Sequence, residues 1–202
     1  CPKCGFAANV EAMVTKVPAG DASSTPALEV LNTPNTPTID SLVDLMNEKF
    51  GGGYSAADTL KNIMLMADGT PIAVLVPGDR EVDLKRLQEN LGGVHELRVF
   101  EEADFAKHPS LVKGYIGPQD AAKSGIKVLA DPRVAPGTAW ISGANKKDHH
   151  ARYVVNGRDF TPDAYVEAAE VRAGDSCPEC NTEIIIDRAI EIGHIFQLGR
   201  KY

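Results

Sequence analysis

A chain of 202 residues with 43% hydrophobic content is long enough to bury one real core, so one compact domain is the default expectation. A formal net charge of −7 removes the broad basic footprint of a protein that grips nucleic acid by phosphate neutralisation alone; any RNA contact must be local. No apolar run approaches the roughly 18 residues needed to span a bilayer, and no basic-then-apolar signal opens the chain, which predicts a cytoplasmic protein without a membrane partner.

Cys1-Pro-Lys-Cys4 opens the chain as a CxxC knuckle. Phe6 to Val17 is a short apolar-rich stretch, and Pro18 to Pro37, crowded with Pro, Ala, Ser and Thr, reads as linker. The folded core is expected to start near Thr33. Thr38 is placed to cap a helix on which Ile39, Leu42, Val43 and Met46 share one face, ended by Gly51 to Gly53. Ser55 reads as the cap of a second short helix through Leu60, followed by the apolar stretch Asn62 to Met66 and a turn at Asp68-Gly69. Pro71 to Val76 is a predicted strand, Asp83 to Leu91 a helix, Leu97 to Phe100 a strand, and a short helical piece begins at Asp104. Ile126 to Ala130, Tyr153 to Val155 and Ile184 to Ile186 are strand-like. Helices and strands interleave without regular βαβ spacing, which predicts an α+β domain built on a mixed sheet. The last residues, from Gly193 to Tyr202, read as an apolar strand without a terminating signal, as if the domain were excised from a longer polypeptide.

All four cysteines sit in two knuckles, Cys1/Cys4 and Cys177/Cys180. Two thiolate pairs make a tetrahedral site, and this spacing favours structural zinc over disulfides or free thiols. Such an ion would clamp the neck of an inserted domain, whose two ends must lie close together. It would do no chemistry, because four thiolates leave no open position for water.

Lys61, Asp131 and the pair His149-His150 are polar residues bedded in apolar surroundings, with the turn Gly114-Tyr115-Ile116-Gly117-Pro118 among them. No GxSxG, HExxH or GxxxxGK[ST] string is present, so serine hydrolase, zinc protease and nucleotide hydrolase chemistries lose their usual support. Lys61 fits a cation aimed into a cleft, but the residues alone favour a snorkelling surface lysine. Asp131, before Pro132, fits a turn cap. His150 fits a general base, a hydrogen-bond donor or a surface residue beside Lys146 and Lys147.

Several strings together resemble bacterial prolyl-tRNA synthetases: CPKCGFAANVEA, TPNTPTIDSL from Thr33, LVPGDREVD from Leu75, DPRVAPG from Asp131, GAN with the later HH from Gly143, and RAIEIGHIFQLGRKY at the end. The resemblance spans essentially the whole chain and is to the family's editing insertion, between class II motifs 2 and 3. The middle is also similar to free-standing aminoacyl-tRNA deacylases. It implies an aminoacyl-tRNA deacylase-like fold, with a junction and first knuckle at 1–32, an editing unit at 33–172, and a second knuckle with a return strand at 173–202.

The resemblance places the family's editing lysine on Lys61, its motif aspartate on Asp131 and its histidine on His150 rather than His149. Thr33 and Leu42 match positions shaping a small pocket for an alanyl side chain, and the loop through Gly114, Gly117 and Pro118 matches one that offers backbone N–H groups to substrate. There this chain departs from the pattern, with Ala121-Ala122 where a second proline is usual. The implied activity is hydrolysis of alanyl-tRNA(Pro), acting on the tRNA(Pro) 3′ end. The implied partners are that tRNA and the rest of the synthetase, which is expected to be a homodimer. ATP and magnesium serve only the parent enzyme's ligation, to which His194 would contribute an isolated piece of the proline pocket. Two rival readings are an inactive tRNA-binding insertion and a deacylase acting in trans; a deacylation assay separates the first, and the terminal GHIFQLG string argues against the second.

Overall fold

The computed structural model describes residues 1–190 and Gly193. The terminal strand read from Gly193 onward, with His194, therefore lies, Gly193 apart, outside the described residues.

A five-stranded sheet carries the architecture. It is built from β2 (Leu60–Ala67), β3 (Thr70–Pro77), β4 (Leu97–Val99), β5 (Lys127–Ala130) and β8 (Ala164–Tyr165), in the order β4-β2-β3-β5-β8. β2 and β3 form an antiparallel hairpin closed by Asp68 and Gly69, both at positive φ, as the Asp-Gly dipeptide predicts. β4 runs antiparallel to β2, while β5 lies parallel to β3 and β8 parallel to β5, so the sheet is mixed. A second, antiparallel sheet has the order β1-β7-β6, from β1 (Glu29–Asn32), β6 (Ala139–Lys146) and β7 (His149–Val155). The fold is α+β, as the interleaved pattern predicts.

The main core fills the space between the sheets: Leu60, Met64, Ala73, Leu75, Val128 and Ala130 meet Trp140, Ala151 and Val154. On the other face of the large sheet, Leu65, Val74, Val76 and Leu129 pack under Leu87 of α2 (Leu84–Leu91) and the segment Val166 to Ala169. Both faces of β3 are thus covered, which is why Ile72 to Val76 is continuously apolar instead of alternating. Each large aliphatic side chain so buried stabilises the fold by about 1.5–3 kcal/mol.

α1 (Ile39–Phe50) forms as its signals predict. Thr38 Oγ1 accepts from Ser41 N at 3.2 Å, Leu42 and Met46 are buried, and Gly51 closes the helix with φ 83°. Asp83 caps α2 by accepting from Lys85 N and Arg86 N. Two short helices, α3 (Glu102–Phe105) and α4 (Pro118–Lys123), flank the loop that covers the core; α4 begins with Pro118 at its first turn, where a missing N–H costs nothing.

Three expectations are corrected. The Pro18–Pro37 stretch is not linker throughout, because Glu29–Asn32 forms β1 and pairs with β7 through Leu31 opposite His150. The helix expected from Ser55 to Leu60 is a single 3-10 turn, Ala56–Asp58, because the ladder with β3 already claims Leu60. Ile184 to Ile186 is not a strand; only the bridge between Ser176 and Glu183 forms there. β6 goes unread because Ser142-Gly143 interrupts its apolar run, and its ladder slips in register at that point.

Candidate active site

A cleft of about 280 Å³ opens between the two sheets. Its walls are the N-terminal turn of α1, the open edge of β2 before β4 joins it, the middle of β6, and the loop through Gly114 and Ile116. Its apolar part comes from Ile39, Leu42, Met64, Phe100, Phe105 and Ile141, and its polar part from Asn62, Ser142 and His150.

His150 is held on β7 opposite Gly143 of β6 and Leu31 of β1. Its Nδ1 meets Thr33 Oγ1 at 2.7 Å, and the ring packs against Tyr115 with centroids 5.4 Å apart. Burial, and after it the neighbouring His149, push its pKa down to about 4, so the imidazole is neutral at pH 7. Thr33 itself is fully buried and does not line the cleft; it fixes the histidine from behind.

The loop from Gly114 to Pro118 is pinned backbone against backbone. Asn145 N donates to Tyr115 O at 2.6 Å, and Asn145 Oδ1 accepts from Val112 N at 2.7 Å. A Cβ on Gly143 would fall 2.2 Å from Tyr115 O, and one on Gly117 would fall 2.4 Å from Gly143 O, so only glycine fits at this crossing. Gly114, at φ 87°, lines the cleft with Ile116, and neither N–H has an acceptor among the described residues. Gly117 does not line the cleft, and its N–H donates to Asp120 Oδ2 at 3.1 Å. Pro118 is buried at the start of α4, also away from the cleft.

Strand alternation divides β2. Leu60, Asn62 and Met64 face the cleft, whereas Lys61 and Ile63 take the other face. Lys61 borders the cleft along the strand edge, and its ammonium donates to Arg80 O at 2.8 Å and to Glu81 Oε1 at 2.6 Å. It is therefore neither free on the surface nor aimed at His150. Asn62, which the sequence did not single out, does point in: its Nδ2 donates to Ser142 Oγ at 2.9 Å, and its buried Oδ1 has no partner among the described residues.

Asp131 lies outside the cleft. Fully buried, it accepts from Arg133 N and Nη1 through Oδ1 and from Ala168 N and Ala169 N through Oδ2. Those bonds stitch the end of β5 to the chain that covers α2's face of the sheet. Of the expected site residues, then, the structure brings Leu42, Gly114 and His150 into one cleft with Lys61 at its border; Thr33 stands behind, and Asp131, Gly117 and Pro118 hold the surrounding frame.

The two knuckles converge outside this cleft. All four Sγ atoms lie within 4.8 Å of one another, with Cys1–Cys180 at 3.6 Å and Cys4–Cys177 at 3.7 Å. A tetrahedral thiolate site with metal–sulfur bonds of about 2.3 Å has sulfur–sulfur edges of about 3.8 Å, whereas a disulfide needs about 2.05 Å. The hydroxyl and backbone of Thr182 lower the Cys180 thiol to about 7, favouring the thiolate a metal takes. The four cysteines can hold a metal ion, and Met13, Phe6 and Ile184 pack around them.

The α+β fold is shared with known proteins. The family model for the aminoacyl-tRNA editing domain matches residues 33–160, and the chain belongs to that family. It is 53% identical over its whole length to proline–tRNA ligase 1 of Streptomyces avermitilis and 50% identical to the proline–tRNA ligase of Streptomyces coelicolor. The chain spans 34% of the length of these relatives. Among solved structures, a hypothetical protein shares the fold with a TM-score of 0.57 at 15% identity, covering 73% of this chain and 95% of that one. Among the described residues no helix is long and apolar enough to cross a membrane.

Proposed function

We propose that the cleft hydrolyses the aminoacyl ester of alanyl-tRNA(Pro), as the editing unit, residues 33–172, of a cytoplasmic proline–tRNA ligase. The observation that carries this reading is the cleft's combination of an apolar end, a neutral buried imidazole and two backbone N–H groups without acceptors among the described residues. A site built for proline cannot exclude the smaller alanine by size, so the synthetic step separates them by only a few kcal/mol, and a second, smaller sieve is the physical remedy.

In this reading Leu42, Ile39 and Ile141 line the apolar end that takes the alanyl methyl. The N–H groups of Gly114 and Ile116 polarise the ester carbonyl and stabilise the oxyanion that develops on it. With Nδ1 engaged by Thr33, His150 Nε2 meets the terminal ribose or the attacking water. Asn62 Oδ1, a buried acceptor without a donor among the described residues, takes the substrate's amino group. Lys61 has two of its three ammonium N–H groups committed, and the third meets the phosphate of the 3′-terminal nucleotide at the rim. No protein group is assigned as general base; the ribose hydroxyl beside the ester activates water.

Zinc is the metal proposed for the four cysteines, in a structural role: it clamps the neck and leaves no coordination site for substrate. Ligation of proline with ATP and magnesium, and dimer formation, would belong to the remainder of a longer ligase. Steady-state deacylation of alanyl-tRNA(Pro) tests the reading. Lys61→Ala should lower kcat/KM by about 100-fold, the scale of a hydrogen bond to a charged group, without unfolding the chain. Full activity in that variant would remove Lys61 from the site.

A further inference from the structure

Lys61's two acceptors belong to one turn, Pro77 to Val82, and that turn is held from behind. Arg80 N donates to Pro77 O at 3.0 Å, closing it. The Arg80 guanidinium then reaches Asp175, with Nη2 2.6 Å from Oδ1 and Nη1 3.0 Å from Oδ2. Asp175 also accepts from Arg133 Nη2 at 2.9 Å and from Arg172 N at 2.9 Å. The next residue, Glu81, exchanges backbone and side-chain bonds with Glu170, and Val82 bridges Ala169. Gly78 N ties the start of the turn to Thr59 O at 2.7 Å, and the anchors of Arg80 to Val82 come from Ala169, Glu170 and Asp175, the last of them two residues before Cys177. The paired, half-buried geometry is the kind that fixes a backbone: the fork of one arginine grips both carboxylate oxygens, and a second arginine shares the load.

We propose that Asp175 is a positioning residue for Lys61: by holding the Arg80–Glu81 turn it sets where the Lys61 ammonium stands at the cleft's border. The Arg80 carbonyl and Glu81 carboxylate fix two directions of the ammonium, and the direction left over is the one offered to substrate. Loosening the turn lets the four-carbon stem of Lys61 wander, which weakens substrate capture more than the chemical step. The role rests on the editing reading for its kinetic consequence but not for its structural one. It also places the knuckle and the cleft in one mechanical unit, since the segment that ends in Cys177 is the segment that carries Asp175.

Asp175→Asn removes the charge that orients Arg80, and Glu81→Gln, at an exposed side chain, removes the charged acceptor without touching the buried pairs. Two readouts are taken on the full chain: reductive methylation of Lys61, followed by mass spectrometry, and KM and kcat for alanyl-tRNA(Pro). Both variants should methylate Lys61 several-fold faster than the parent and raise KM about tenfold with kcat nearly unchanged, a coupling on the scale of contacting residues. Asp175→Glu should restore both values in part. Unchanged methylation and KM in a folded Asp175→Asn variant would overturn the proposal. If the parent shows no deacylation the editing reading fails, and the methylation rates alone decide whether Asp175 positions Lys61.

Discussion

His150 combines burial with a single polar tether. Its folded pKa, about 4, lies below the ordinary value of 6.5, so between those two pH values the unfolded chain binds more protons than the folded one. The contribution to stability is complete above about pH 6.5 and is lost as pH falls toward 4, amounting to up to about 3 kcal/mol. Urea melts at pH 7 and pH 4.5 should show a loss in the parent that His150→Gln largely removes; an equal loss in both would show that another group titrates. Choosing His150 over His149 was possible from the resemblance alone, because both lie on one strand and only the register against Leu31 and Gly143 decides which points inward. Asn62 was hidden for the same reason. Its neighbour Lys61 drew attention as a charge in an apolar run, yet β2's alternation sends the two to opposite faces.

Elements with self-contained signals were legible: the Thr38 cap and Gly51 stop of α1, the Asp68-Gly69 turn, and the helical spacing of α2 are local statements that the tertiary structure leaves intact. Elements that exist only through a partner were not. β1 lies in a Pro-rich stretch and forms because β7 offers a ladder, and β6 is broken by Ser142-Gly143, where a loop distant in sequence leaves Gly143 no room for a side chain. That crossing yields a prediction. Gly143→Ala drives a methyl into the Tyr115 carbonyl and should destabilise the chain by about 1–3 kcal/mol, the usual cost of overpacking, while displacing Gly114 and Ile116 from the cleft. Deacylation should fall by more than the folded fraction does; a Gly143→Ala variant as stable and active as the parent would contradict this account of the loop.

Cys1 and Cys4 at the N-terminus meet Cys177 and Cys180, and the N-terminal segment is tied back to α2. Fully buried Arg86 pairs with Glu167 and donates to the carbonyls of Val10 and Met13, so the neck is bound to the domain by more than the knuckles. The spacing of the cysteines foretold their convergence, because two CxxC pairs have little other use in one small domain. Nothing in the spacing foretold Arg86. Removing a metal from the neck should loosen it without melting the sheets: a chelator should lower Tm by about 5 °C or more, and zinc should restore it. A Tm indifferent to chelator would contradict a structural ion. The central claim concerns the cleft and is tested most directly by ester loss from alanyl-tRNA(Pro) and prolyl-tRNA(Pro) at neutral pH with the purified chain. The account predicts release of alanine and retention of proline. Equal loss of both, or of neither, would contradict a second sieve for the smaller side chain.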